Sequence, residues 1–175
     1  MNRKYIITGA PGTGKTSIIK KLREKHFNCI DEQSRELITH QIKNGGDALP
    51  WKNQIAFENT ISNIRTQQYL SVNKNSICFF DRSTIDCIAY LKLNTFEISL
   101  QIEKNIKKCI FNNTVFYTPF WEEIYINDKE RKENIEQAKK IEIEIIKAYQ
   151  SLDYNLIKIP KISIKKRVDF IISKI

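Results

Sequence analysis

The chain has 175 residues, 41% of them hydrophobic, which suits one compact domain with a buried core. No apolar run approaches the ~18 residues of a membrane-spanning helix, and the start of the chain lacks a signal-peptide pattern, so we expect neither membrane insertion nor export. The net charge of +9 comes from scattered lysines and not from a dense basic block. We interpret it as a solvated surface that attracts polyphosphates, and we do not expect a nucleic-acid partner.

The first half of the chain alternates strand-like and helical patterns. Residues 4–8 and 28–31 predict two strands. The helix between them is predicted to carry one shared face of Ile18, Ile19, Leu22 and His26. A polar helix is expected over residues 32–43, ending at the Gly45-Gly46 pair. A long helix is then expected to begin at residues 49–51, with Phe57, Ile61 and Ile64 on one face.

The second half continues the alternation. Strands are predicted at residues 76–80, 114–117 and 156–159, with two helices between the first pair. Residues 130–151 predict an amphipathic helix with an apolar face of Ile135, Ala138, Ile141, Ile145 and Ala148. The last helix is expected to place Ile164, Val168, Ile171 and Ile175 on one side. Strands interleaved with helices in this way predict a three-layer α/β sandwich with a parallel sheet, formed by residues 1–175 as a single domain.

The cysteines favour a structural role. Cys29, Cys78, Cys87 and Cys109 include no Cys-x-x-Cys pair, and the chain has only two histidines, so no zinc-binding spacing is present. All of them lie in or beside apolar segments, where a cysteine behaves as a small buried hydrophobe. We therefore expect a reducing compartment, most simply the cytoplasm.

Residues 9–16, GAPGTGKT, match the phosphate-loop pattern G-x-x-x-x-G-K-[ST] at every fixed position, between a predicted strand and a predicted helix. Glycines let the backbone N–H groups converge on phosphates, and the helix N-terminus adds a positive dipole. Lys15 is predicted to bridge the outer phosphates and the Thr16 hydroxyl to bind Mg²⁺. The predicted nucleotide-binding residues are Gly9, Ala10, Pro11, Gly12, Thr13, Gly14, Lys15, Thr16 and Ser17.

Asp81 is the second predicted metal residue, because it ends an apolar strand and so brings a carboxylate to the sheet edge that carries the loop. The alternative is an ordinary aspartate that caps the following helix. The sequence lacks the Asn-Lys-x-Asp motif of GTPases, and Arg82 stands where many ATPases have a glutamate after the strand. Both absences disfavour nucleotide hydrolysis as the main task.

The later segments together with the loop resemble the P-loop "AAA domain" family, which is related to the nicotinamide riboside kinase domain and more distantly to deoxynucleoside kinases. They are residues 31–36 (DEQSRE), 49–51 (LPW), 80–83 (FDRS) with Asp86 and Tyr90, 121–125 (WEEIY) and 128–131 (DKER). The resemblance covers nearly the whole chain. It implies a kinase-like fold with parallel strand order 2-3-1-4-5 and does not transfer a substrate.

The resemblance also implies roles for charged residues. In deoxynucleoside kinases a glutamate matching Glu32 orients the acceptor hydroxyl and takes its proton, and a carboxylate suits phosphoryl transfer because the nucleophile must be positioned. Arg35 is predicted to bind the acceptor or to pair with Glu32; a solvated ion pair is the alternative. Arg131, in a lid region near residues 121–135, is predicted to close over the phosphates, with an exposed pair to Asp128 as the alternative.

One face of the helix after Asp81 is predicted to carry Arg82, Asp86 and Tyr90, which are spaced by four. We expect Arg82 to contact the transferring phosphoryl group, as does the Arg of the Glu-Arg-Ser segment in deoxynucleoside kinases; here Asp81 replaces that Glu. Asp86 and Tyr90 are predicted to bind substrate hydroxyls, with a structural role as the alternative. Trp51 and Phe57 are candidates for stacking against a base, with Trp121 beside them, although such aromatics are often core.

The leading interpretation is therefore an ATP- and Mg²⁺-dependent kinase that acts on a small nucleoside- or nucleotide-like acceptor. The alternative is a nucleotide-regulated ATPase or interaction module without such an acceptor.

Overall fold

The computed structural model describes residues 3–73, 76–124 and 134–175. The strands are β1 (Lys4–Thr8), β2 (Asn28–Ile30), β3 (Cys78–Asp81), β4 (Thr114–Tyr117) and β5 (Asn155–Lys158). The helices are α1 (Lys15–Glu24), α2 (Ser34–Lys43), α3 (Gln54–Ser71), α4 (Asp86–Leu93), α5 (Leu100–Lys108), α6 (Ile135–Gln150) and α7 (Ile164–Ile172), and a single 3₁₀ turn spans Glu122–Ile124.

The strands form one parallel sheet of order β2-β3-β1-β4-β5. This confirms the predicted fold class and the strand order 2-3-1-4-5. Ile7 of β1 is paired in register with Asp81 of β3, and Ile30 of β2 with Phe80. The carboxyl ends of these three strands therefore lie side by side, which is where open α/β sheets place their ligands.

Successive side chains of each central strand point to opposite faces of the sheet. Ile6 of β1, Phe80 of β3 and Val115 of β4 pack with α4 and α6. Their neighbours Ile7, Phe79 and Phe116 pack with α1 and α7 on the other face. A third cluster joins α2, α3, α4 and α5. Strands buried on both faces read as continuous apolar runs, which is why the sequence showed them clearly.

Several predicted boundaries are corrected. The long helix begins at Gln54 and not at residues 49–51, because the side chain of Asn53 caps it by accepting a hydrogen bond from the Ala56 N–H at 3.2 Å. Helix α1 ends at Glu24, and His26 is exposed with a left-handed φ of 66°, so it does not extend the apolar face. Ile175 is likewise exposed beyond the end of α7.

The start of α6 is fixed by a capping box at Asn134 and Gln137. The predicted residues 130–133 of this helix lie outside the described residues. Three of the four cysteines are buried as expected, and Cys29 is half-buried. None of the described helices is long and apolar enough to cross a membrane.

Candidate functional site

The phosphate loop joins β1 to α1 at the carboxyl edge of the sheet, and glycine is required at its first position. Gly9 has a φ of 138°, and a Cβ there would lie 2.3 Å from Thr118 Oγ1 and 2.4 Å from the Thr118 carbonyl oxygen. Gly14, at a φ of 86°, forms the N-cap of α1. The Thr13 hydroxyl donates to the Ala10 carbonyl oxygen at 2.8 Å and bonds to the Thr118 hydroxyl. The loop is thus held from behind by β4.

Lys15 is buried at the first position of α1. Its Nζ donates to the carbonyl oxygens of Gly9 at 2.9 Å and Ala10 at 2.7 Å, so the ammonium group is folded back over the loop. Burial, together with the positive charge of Arg82, lowers the pKa of Lys15 well below its ordinary value. A polyphosphate on the loop would add the negative charge that restores the protonated form.

Asp81 lies at the end of β3, beside β1. Its Oδ1 is buried and accepts no hydrogen bond from any residue that the structure describes. Burial raises the pKa of this carboxyl group above its ordinary value, although the charges of Lys15 and Arg82 favour the ionised form. A buried carboxylate oxygen without a donor suits a cation, and the Thr16 hydroxyl group belongs to the same cavity wall. The two residues therefore fit Mg²⁺.

A cavity of about 810 Å³ runs from the loop across the carboxyl edge of the sheet. At one end its wall contains Gly12, Gly14, Lys15, Thr16 and Ser17 of the loop and α1. At the other end the wall is built from α2, α3 and α4, with both charged and aromatic side chains. The volume lies within the range of small-molecule sites. The site therefore has room for a nucleotide and a second small molecule.

Glu32 lies in this wall just after β2, and its two carboxylate oxygens differ in their surroundings. Oε1 accepts hydrogen bonds from the Ser34 N–H at 2.9 Å, the Ser34 hydroxyl and Arg65 Nη2 at 2.9 Å. Burial opposes ionisation, but the charges of Arg65 and Arg82 and the bonds from Ser34 outweigh it and hold the pKa of Glu32 below its ordinary value. The hydrogen bonds that described residues donate to Glu32 all reach Oε1. Oε2 of the ionised carboxylate can therefore accept a hydrogen bond from a ligand in the cavity.

Arg82 has a left-handed φ of 72°, which is strained for a residue with a Cβ. Its Nη1 donates to Asp86 Oδ1 at 3.1 Å, and its Cζ lies 5.5 Å from the centroid of the Tyr90 ring. The guanidinium group is thereby held in the cavity wall beside Tyr90. Strained backbone of this kind concentrates at functional sites, which favours a role for Arg82 in the chemistry.

Asp86 is fully buried and is not part of the described cavity wall. Besides Arg82, its carboxylate accepts hydrogen bonds from the Thr8 hydroxyl at 2.5 Å, the Ser83 N–H at 2.8 Å and the Tyr149 hydroxyl at 2.6 Å. Such a saturated carboxylate has no acceptor capacity directed at a ligand. The geometry favours the structural alternative for Asp86, in which it ties β1, α4 and α6 together behind Arg82.

The remaining predicted residues divide into three groups. Arg35, Trp51 and Phe57 lie in the cavity wall on the acceptor side, Trp51 at its exposed rim and Phe57 buried. The described ion-pair partner of Glu32 is Arg65 and not Arg35. Trp121 lies instead near α7, with its ring centroid 5.9 Å from Arg167 Cζ. Arg131 falls outside the described residues.

Two charged cavity residues on α3, Glu58 and Arg65, were missed. Arg65 donates from Nη1 to the Ser83 carbonyl oxygen at 3.1 Å and from Nη2 to Glu32, so it links α3 to the segments that follow β3 and β2. Burial raises the pKa of Glu58, which lies about two helical turns before Arg65 on the same face of α3, to about 7. The signal was present in the sequence: Glu58, Ser62 and Arg65 recur at the spacing of one helical face, beside the apolar face that contains Phe57 and Ile61.

The family model described as "AAA domain" matches residues 4–167. The chain belongs to this AAA domain family. No curated protein has a sequence that matches the chain.

Solved structures confirm the kinase-like architecture of this AAA domain. A deoxyadenosine kinase from M. mycoides is similar at a TM-score of 0.71 and 16% identity, over 98% of this chain and 97% of that chain. The NadR protein in complex with NR is similar at a TM-score of 0.70 and 18% identity, over 98% of this chain and 50% of that chain. A thymidylate kinase from Ehrlichia chaffeensis reaches 0.65 at 15% identity, over 98% and 97%. At these identities the likeness concerns the fold.

Proposed function

We propose that this AAA-domain protein is a Mg²⁺-dependent phosphotransferase that moves the γ-phosphate of ATP to a small nucleoside- or nucleotide-like acceptor. The observation that supports it best is the single cavity with two chemically different ends. One end is a phosphate loop, and the other presents an ionised carboxylate with one oxygen free of described protein donors. Hydrolysis of ATP alone requires no acceptor-binding region at the second end of this cavity.

The donor end would hold the triphosphate. The loop amides cradle its phosphates, and Lys15 leaves the carbonyl oxygens of Gly9 and Ala10 to bridge the outer ones. Thr16 and Asp81 would hold Mg²⁺, which when bound neutralises charge that develops on the phosphate oxygens. The buried Oδ1 of Asp81 is the atom best suited to that role, directly or through water.

The acceptor end would hold the nucleophile. The hydroxyl group of the phosphate acceptor would donate a hydrogen bond to Glu32 Oε2. Arg65 and Ser34 hold Oε1 and so fix the orientation of the carboxylate. Phe57 and Trp51 offer apolar surface for a ring system, and Glu58 a buried polar contact. The titles of the similar structures name nucleoside and nucleotide kinases and NR, which directs the choice of acceptors toward ribosides and their monophosphates.

Arg82 would stabilise the phosphoryl group in transit, because Asp86 and Tyr90 hold its guanidinium group at the wall between the two ends. We also propose that Arg131, in a lid near residues 121–135 of the single domain, closes over the phosphates and excludes water. Such phosphoryl transfer needs positioning and charge more than a strong base, which fits an ionised glutamate of low pKa.

The test is an acceptor screen that follows ADP release with ATP or GTP as donor. The acceptors are ribonucleosides, deoxynucleosides, nicotinamide riboside and nucleoside monophosphates. We expect at least one to raise ADP release well above the rate in buffer. Lys15→Ala should abolish that increase, whereas Lys20→Ala, on an exposed lysine of the same helix, should leave it unchanged. Nucleotide binding without any acceptor dependence would overturn the kinase proposal and favour the regulated ATPase or interaction module.

A further inference from the structure

Arg167, on α7, is a buried arginine that has no counter-charge among the described residues. Only 1% of its surface is exposed. In the described part of the chain no carboxylate pairs with it, and its Nε and Nη1 have no hydrogen-bond partner. The nearest acidic side chain on its own helix, Asp169, pairs with Lys25. A buried cation left unpaired in this way is costly, so its retention calls for a compensating ligand or role.

The one described side-chain bond of Arg167 goes to the phosphate loop. Nη2 donates to the Thr13 carbonyl oxygen at 3.1 Å. Nη1 lies so close to Gly14 that a Cβ there would approach it to 2.9 Å. The guanidinium group therefore sits directly behind the Thr13–Gly14 peptide, between the loop and the Trp121 ring.

The Thr13–Gly14 peptide connects Arg167 to the donor end of the cavity. The described peptide bonds are all trans, so the Gly14 N–H points away from the Thr13 carbonyl oxygen and hence away from Arg167. Gly14 is part of the cavity wall at the donor end. A cation that binds the carbonyl oxygen polarises the peptide and strengthens the donor at its N–H, because bonded groups polarise one another in a low-dielectric setting.

We infer that Arg167 is a positioning residue of the donor site, which orients and polarises the Thr13–Gly14 peptide and adds positive potential behind the phosphate loop. The bound polyphosphate supplies the negative charge that the described residues do not place beside Arg167. This rests on the donor half of the proposed function, and not on phosphoryl transfer. Its contribution to affinity must therefore grow with the charge of the ligand.

The test measures dissociation constants by calorimetry for inorganic tripolyphosphate, ATP, ADP and adenosine. Arg167→Met has a side chain of similar length without the charge. It should weaken the binding of ATP and tripolyphosphate about tenfold, weaken that of ADP less, and leave that of adenosine unchanged. Arg167→Lys, which keeps the charge, should stay within about threefold of the wild type. Lys166→Met removes the same charge from an exposed neighbour and should change affinity by less than about twofold, because water and salt screen it.

Thermal unfolding of the ligand-free variants separates this role from a structural one. Removal of a buried unpaired charge should leave the melting temperature unchanged or higher in Arg167→Met. An equal loss of affinity for all four ligands, or none for ATP, would overturn the inference. If Arg167→Met does not fold, Arg167→Gln replaces it, and failure of both to fold would show a purely structural role. Absence of nucleotide binding in the wild type would instead overturn the donor site itself.

Discussion

Asp86→Asn tests whether Asp86 is a structural anchor or a substrate ligand. In the wild type, Oδ1 accepts from Thr8 and Arg82, and Oδ2 accepts from Ser83 and Tyr149. An asparagine of the same shape turns one of these oxygens into an NH₂ group that faces two donors. It also removes the counter-charge of Arg82, which is buried in the same network.

Loss of one partner from a buried, hydrogen-bonded ion pair costs about 3–5 kcal/mol. For a domain of this size that corresponds to a fall of roughly 10 °C in melting temperature. The full cost is expected at neutral pH. Burial disfavours ionisation of Asp86, but Arg82 and Arg65 outweigh it and hold its pKa below the ordinary value. Its stabilising contribution is therefore present above the ordinary aspartate pKa and is lost as the pH falls through the folded value.

Urea unfolding at pH 7 gives the free energy directly. The control is Asp169→Asn, because Asp169 forms an exposed pair with Lys25 and should cost less than about 1 kcal/mol. A structural role for Asp86 is excluded if the unfolding free energy of Asp86→Asn stays within about 1 kcal/mol of the wild-type value while acceptor binding weakens. That result would show that Asp86 binds substrate, as its helical spacing with Arg82 and Tyr90 predicts.

Three further predictions concern the loop and the acceptor end. Glu32→Gln should keep its bond to Arg65 and lower kcat for acceptor phosphorylation about 100-fold or more, with a smaller change in KM for ATP; a normal kcat would exclude Glu32 from the chemistry. Burial raises the pKa of Glu58 to about 7, so its stabilising contribution is full below about pH 4.5 and is lost as the pH rises through 7. The difference in unfolding free energy between Glu58→Gln and the wild type should therefore rise by about 3 kcal/mol as the pH rises from about 4.5 to 7. A difference that does not change with pH would contradict the raised pKa of Glu58. Gly9→Ala should destabilise the protein by more than about 2 kcal/mol, measured by urea unfolding, since its Cβ would meet Thr118 Oγ1 and carbonyl oxygen; an unchanged midpoint would show that the loop can shift.

Local features were predictable from the sequence. The phosphate loop is contiguous, and its glycines, Lys15 and Thr16 occupy fixed positions in one stretch of chain. The central strands β1, β3 and β4 are buried on both faces and stand out as short apolar runs. The strand order, in contrast, came from the family resemblance, because periodicity does not state which strands are neighbours.

Long-range pairs were not predictable. For Arg35 the sequence left two roles open, binding the acceptor or pairing with Glu32, and it gave no sign of Arg65, which lies 33 residues from Glu32 and donates to its carboxylate. Arg167 reaches Thr13 across 154 residues. Arg167 lies on an otherwise apolar face of α7, where periodicity alone suggests an ordinary packing position, whereas Arg65 shares a polar face of α3 with Glu58 and Ser62. A charged residue on an otherwise apolar helix face is a signal that sequence analysis can use, although it does not identify the residue that this charge contacts.

Phosphoryl transfer is tested by following the γ-phosphate by ³¹P NMR with ATP, Mg²⁺ and the acceptor that most increases ADP release. We expect a new phosphate-ester or phosphoanhydride resonance of the acceptor in stoichiometric balance with ADP, lost in Lys15→Ala and retained in Lys20→Ala. Appearance of the phosphate only as inorganic phosphate, with the acceptor unchanged, would show hydrolysis instead of transfer and overturn the kinase proposal.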